Sequence, residues 1–189
     1  MINIFESGHF SQYRTSMRLD DARKPITESY QYAQRLTTVF LSHKHDELNE
    51  LKDFIGFLVK EYNVKVYIDS RDPSLPRITS GETAKNIKNR IKKCDRYILL
   101  ATNDAVDSKW CNWELGIGDG AKYPDKIAIL PIKPICSSDN AYKGNEYMKI
   151  YPFIVSYNGT EKYSNGQPIA KGYYVMTGNT ITPLRKWLS

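Results

Sequence analysis

The chain has 189 residues, 41% hydrophobic and 25% charged, the size and composition of one ordinary globular domain with some decoration. Lysine and arginine number 27 against 21 aspartate and glutamate, a formal charge of +6. The surface therefore favours anions, without saying whether these are nucleic acid, acidic protein or a small phosphorylated ligand. No run approaches the roughly 18 consecutive apolar residues of a membrane span, and the opening Met-Ile-Asn-Ile-Phe-Glu-Ser lacks the basic start and apolar centre of a secretory signal. The odd count of cysteines, with no CxxC pair, argues against a disulfide framework or a zinc ribbon, so a reducing cytoplasm is the expected compartment.

Residues 1–36 suggest one or two short helices, broken at Pro25, with Thr27 capping the second. From Thr37 to Ile135 short apolar runs alternate with helical patterns, the mark of βαβ units and a parallel sheet. Thr37 to Ser42 reads as the first strand. Leu48, Leu51, Ile55, Leu58, Val59 and Tyr62 then recur at spacings of three and four, one apolar helix face. Val64 to Ile68 is the second strand, and Asp69 to Arg77, with two prolines, a loop. Thr79 and Glu82 form a capping box for a helix that buries Ala84, Ile87, Ile91 and Cys94. Tyr97 to Ala101 is the third strand, a helix starts near Ser108, and Ile127 to Ile132 is the fourth strand. Beyond Pro134, two aromatic-rich runs, Tyr151 to Tyr157 and Tyr173 to Thr177, read as strands of a long hairpin, and Thr182-Pro183 opens a last helix carrying Leu184, Trp187 and Leu188. Their apolar content predicts that residues 141–189 dock on the core.

Ligands of an open parallel sheet bind outside the carboxyl ends of its strands, where neighbouring connections diverge. That rule selects Ser42-His43-Lys44-His45, the loop from Asp69 to Pro76 containing Asp72, and Thr102 to Trp110. Just beyond comes Trp110-Cys111-Asn112-Trp113-Glu114. On a helix Glu114 shares a face with Trp110, and Ile117 extends it by a turn, which sets a carboxylate against an aromatic ring. The plain alternative is a surface glutamate at the border of the stripe.

The blocks Thr-Val-Phe-Leu-Ser-His, Lys-Val-Tyr-Ile-Asp at 65–69, IKNRIKKCDRYILL at 87–100 and SKWCNWEL at 108–115 resemble, in order and spacing, a TIR domain over roughly residues 36–135. The resemblance implies an α/β, flavodoxin-like sheet of five parallel strands with helices on both faces. The expected units are an N-terminal extension (1–36), the core (37–135) and a tyrosine-rich C-terminal extension (136–189) holding seven of the 14 tyrosines after residue 140. Many bacterial TIR domains cleave NAD with the glutamate of a Trp-x-x-x-Glu motif, which maps onto Trp110 and Glu114. The resemblance thus implies Glu114 as the catalytic group. Ser42, His43, Lys44, His45, Asp69, Asp72, Thr102 and Trp110 are expected to border NAD as substrate, with no cofactor and no metal. A neutral nicotinamide leaving a cationic pyridinium needs no acid, so one carboxylate can suffice where glycosidases use two.

Other readings of these residues are weaker. His43, His45 and Asp46 lack the further cluster a metal site needs. Gly116, Gly118 and Gly120 follow a helix instead of joining a strand to one, and read as an early helix end that admits another backbone. Lys85, Lys88, Arg90, Lys92, Lys93 and Arg96 make a solvated basic face with no interleaved aromatics, which disfavours nucleic acid. Cys111 has no assignable base and reads as a packing residue. The expected activity is that of an NAD glycohydrolase or ADP-ribosyl cyclase, like the TIR enzymes of anti-phage systems such as Thoeris, with TIR self-association and a separate effector sensing the product. The alternatives are a non-catalytic TIR scaffold and a nucleotide sensor.

Overall fold

The computed structural model describes residues 4–14, 36–68, 81–144 and 146–189. Strands β1 (Phe5–Glu6), β2 (Thr38–Ser42), β3 (Lys65–Ile68), β4 (Arg96–Ala101), β5 (Ile127–Lys133), β6 (Phe153–Tyr157), β7 (Gly172–Thr177) and β8 (Thr180–Pro183) form one sheet. Its helices are α1 (Leu48–Tyr62), α2 (Gly81–Lys93), α3 (Asn103–Asp107), α4 (Lys109–Lys122) and α5 (Leu184–Trp187). The strand order is β3-β2-β4-β5-β6-β7-β8, with β1 paired to β5. The first five strands of that order run parallel, while β7 and β8 close the edge as antiparallel partners. This is the expected flavodoxin-like order. The two aromatic-rich runs do pair as a hairpin, and the sheet runs past residue 135, because β6 lies beside β5 through Ile129 and Phe153.

The central strands are apolar at nearly every position because both sheet faces are covered. Val39 and Leu41 of β2 with Ile98 and Leu100 of β4 face α1, α5 and the N-terminal segment. Phe40 of β2 with Tyr97, Leu99 and Ala101 of β4 face α2, α3 and α4. The β2–α1 and β4–α3 connections therefore leave to opposite faces, and the crevice between their carboxyl ends is a topological switch point.

Several expectations change. Of the short helices expected in residues 1–36, the described part holds one 3-10 turn, Ser11–Tyr13, and it is preceded by a strand. Phe5 and Glu6 pair with Ile132 and Lys133 of β5, a long-range match that local periodicity does not show, and Phe10 packs on Phe54 and Phe57 of α1. Arg14 grips the buried Asp53 of α1 with bonds of 2.7 and 2.9 Å. Pro25, Thr27, Thr79 and the loop carrying Asp69 and Asp72 lie outside the described residues. Leu48 is exposed, and the α1 face is completed by Phe54 and Phe57. The segment after Thr102 forms α3, because the Thr102 side chain accepts from the Ala105 amide. Gly116, Gly118 and Gly120 lie within α4 and do not end it. Only Gly118 is closely approached, and by the Tyr97 ring rather than a backbone, since a β-carbon there would stand 3.0 Å from it.

Candidate active site

Ser108 starts α4 by accepting from the Cys111 amide at 3.3 Å. The residues the helix buries are Cys111, Glu114, Leu115, Gly118 and Lys122, one stripe at spacings of three and four. Glu114 thus stands in the middle of the buried face. The expected stripe through Trp110 and Ile117 is its half-buried flank, and Trp113 is 37% exposed. Side-chain spacing was right about neighbours and wrong about which of two adjacent stripes meets the sheet. Gly118 lets α4 settle onto Tyr97, and Glu114, one turn earlier, comes against the end of β2.

There the Ser42 hydroxyl, fully buried, donates to Glu114 Oε2 at 2.5 Å. The carboxylate itself is 1% exposed, so it lies beneath the surface and not at the mouth of the site. Burying a carboxylate costs several kcal/mol unless charge-assisted hydrogen bonds offset it, and a fixed anion in such a place stabilises cationic charge far better than one in water.

The β2–α1 loop is tied to α4 next to this pair. The Cys111 thiol donates to the His43 carbonyl at 3.3 Å. Burial, partly opposed by the Ser108 hydroxyl, pushes that thiol up to about 11, so it stays protonated and acts as a donor, not a nucleophile. His43 is buried, and its ring lies 6.3 Å from that of the half-buried His45. Lys44 between them is half-buried too. Trp110 packs against Trp113 with ring centroids 4.8 Å apart and the planes tilted by 34°. Thr102 does not join this cluster. Its hydroxyl donates to Glu47 at 2.6 Å, on a cleft of about 210 Å3 also lined by Glu50, Asn103, Asp104 and Lys133.

A family model of the TIR domain matches residues 39–152, more than half of the chain. The probable 3' cyclic ADP-D-ribose synthase ThsB' of Bacillus cereus (strain MSX-D12) is 30% identical over 155 residues, covering 80% of this chain and 76% of that protein. The chain belongs to the TIR family.

Two residues of this TIR domain escaped sequence reasoning. Glu47 looks like a polar residue ahead of α1. Burial, opposed by the Thr102 hydroxyl and reinforced by Asp104 and Glu50, raises its carboxyl to about 7. Tyr97 looks like a strand residue. Burial and then the Glu114 carboxylate hold its phenol well above the usual range. No local pattern marks either, because their partners lie 55 residues away for Glu47 and on a different element for Tyr97. Of the basic run, Arg90 donates to the Ile68 carbonyl at 3.1 Å and Arg96 to that of Trp187 at 2.6 Å, while Lys85, Lys88, Lys92 and Lys93 remain exposed.

Proposed function

We propose that this TIR domain cleaves NAD at the bond between nicotinamide and ribose, and that Glu114 is the catalytic group. The observation that carries the reading is the buried Ser42–Glu114 pair at the carboxyl edge of a parallel sheet. The C1'–N bond breaks, its electron pair returns to the pyridinium ring, and nicotinamide leaves neutral. The positive charge passes to the ribosyl oxocarbenium. Glu114 stabilises that charge and holds ribose hydroxyls, and an acceptor oxygen or nitrogen then adds at C1' and gives up its proton. Trp110 packs against the ring or sugar, and Lys44 with His43 or His45 meets the pyrophosphate.

With water as acceptor the product is ADP-ribose. With an atom of the same molecule it is a cyclic ADP-ribose, and the likeness to the probable 3' cyclic ADP-D-ribose synthase of Bacillus cereus supports that branch. A signal of this kind fits anti-phage defence with a separate effector. Among the described residues no helix is long and apolar enough to cross a membrane. Chromatography of NAD incubated with the pure protein tests the reading. Release of nicotinamide in step with NAD loss is expected, and NAD left intact at every protein concentration overturns it in favour of a TIR scaffold or sensor.

A further inference from the structure

Tyr97 is among the largest side chains fully buried in this fold, and it stands on the sheet face that carries the proposed chemistry. It pairs in register with Phe40, two residues before Ser42 on the same face of β2. Its ring stacks on Phe40 at 5.8 Å with 13° between the planes. Gly118 of α4, one turn beyond Glu114, closes over the same ring. Packed in this way, the ring has little freedom to turn its hydroxyl elsewhere.

That hydroxyl is buried and makes no hydrogen bond of normal geometry among the described residues. Yet Glu114 is the charged group, and Ser42 the hydroxyl, that bear on it most. A buried phenol without a bond costs stability that a phenylalanine of the same shape would not cost, and such orphans call for an explanation. Ser42 supplies one. Its proton already goes to Glu114, so its oxygen retains lone pairs to accept another donor.

Taking Glu114 as the catalytic group, we propose that Tyr97 is a positioning residue, whose hydroxyl closes a Tyr97-to-Ser42-to-Glu114 chain of donors when substrate binds. Each link polarises the next. The closed chain holds the carboxylate in place as the cation forms, and the open first link is what a site that tightens around its substrate shows before it is filled.

The test uses Tyr97→Phe, Ser42→Ala and the double variant, followed by nicotinamide release from NAD and by thermal melting. Tyr97→Phe should lower kcat by roughly 10- to 100-fold, the usual cost of a misplaced catalytic group, with little change in KM and a melting temperature at or above the parent's. In the Ser42→Ala background the same change should cost little more, since the chain is already cut. Parent-like kcat in Tyr97→Phe, an undiminished cost in the Ser42→Ala background, or a melting temperature well below the parent's each overturns the proposal. Glu114→Gln separates the two levels. If it is inactive while Tyr97→Phe is parent-like, only the role of Tyr97 falls, and if it retains parent turnover, the Glu114 reading falls and takes this one with it.

Discussion

Replacing Glu114 by Gln keeps the length and shape of the side chain and removes its charge. The amide oxygen can still accept from Ser42 Oγ, now 2.5 Å from Oε2, but the bond is no longer charge-assisted, a loss of about 1 kcal/mol. Against that, the variant no longer buries a carboxylate that is 1% exposed, and relief of that desolvation is worth a similar amount or more. The folded state should therefore lie within about 1 kcal/mol of the parent, which for a chain of this size is a shift of about 2–4 °C in melting temperature. Catalysis has no such compensation. A preorganised group aimed at developing charge contributes about 10² to 10³ in rate, or about 2.7–4 kcal/mol, and the amide supplies no net charge to oppose the ribosyl cation. Nicotinamide release should fall by that factor while NAD binding weakens far less. Parent-like cleavage in a folded Gln variant would refute the assignment, and so would a loss confined to KM, which reports uniform binding and not transition-state stabilisation.

Other expectations follow from the same contacts. Glu47 is raised from 4.5 to about 7, so the folded state binds its proton more tightly than the unfolded state, and stability falls as the pH rises from about 5 to about 7 before levelling off. Melting curves across that range should show the decline in the parent and a shallower one in Glu47→Gln, and parallel slopes would rule the assignment out. Lys122 donates to the Lys92 carbonyl at 3.0 Å and to that of Cys94, closing the carboxyl end of α2. Lys122→Met should cost about 1–3 kcal/mol by leaving those acceptors unmade, read as a lower urea midpoint with an unchanged slope. If TIR self-association completes the site, turnover per molecule should rise with protein concentration, and specific activity that stays flat through a wide dilution series would remove that idea.

Length and apolar runs were enough to place the four central strands within a residue or so, because a strand buried on both faces has to be apolar throughout, and a helix that covers it has to be apolar every three or four residues. Ser108 and the motif after it fixed the start of α4 locally, since an N-cap acts over three residues. The tertiary structure decided what those faces meet. Cys111, Glu114 and Gly118, not Trp110 and Ile117, face the sheet, and that turns a carboxylate that helical spacing sets beside Trp110 into a buried one held by Ser42. It also paired Phe5 with Ile132, brought Thr102 to Glu47, and set the Tyr97 phenol in the field of Glu114. Each of these joins residues far apart in the chain, and periodicity records only how a segment repeats along itself, not which distant segment packs against it.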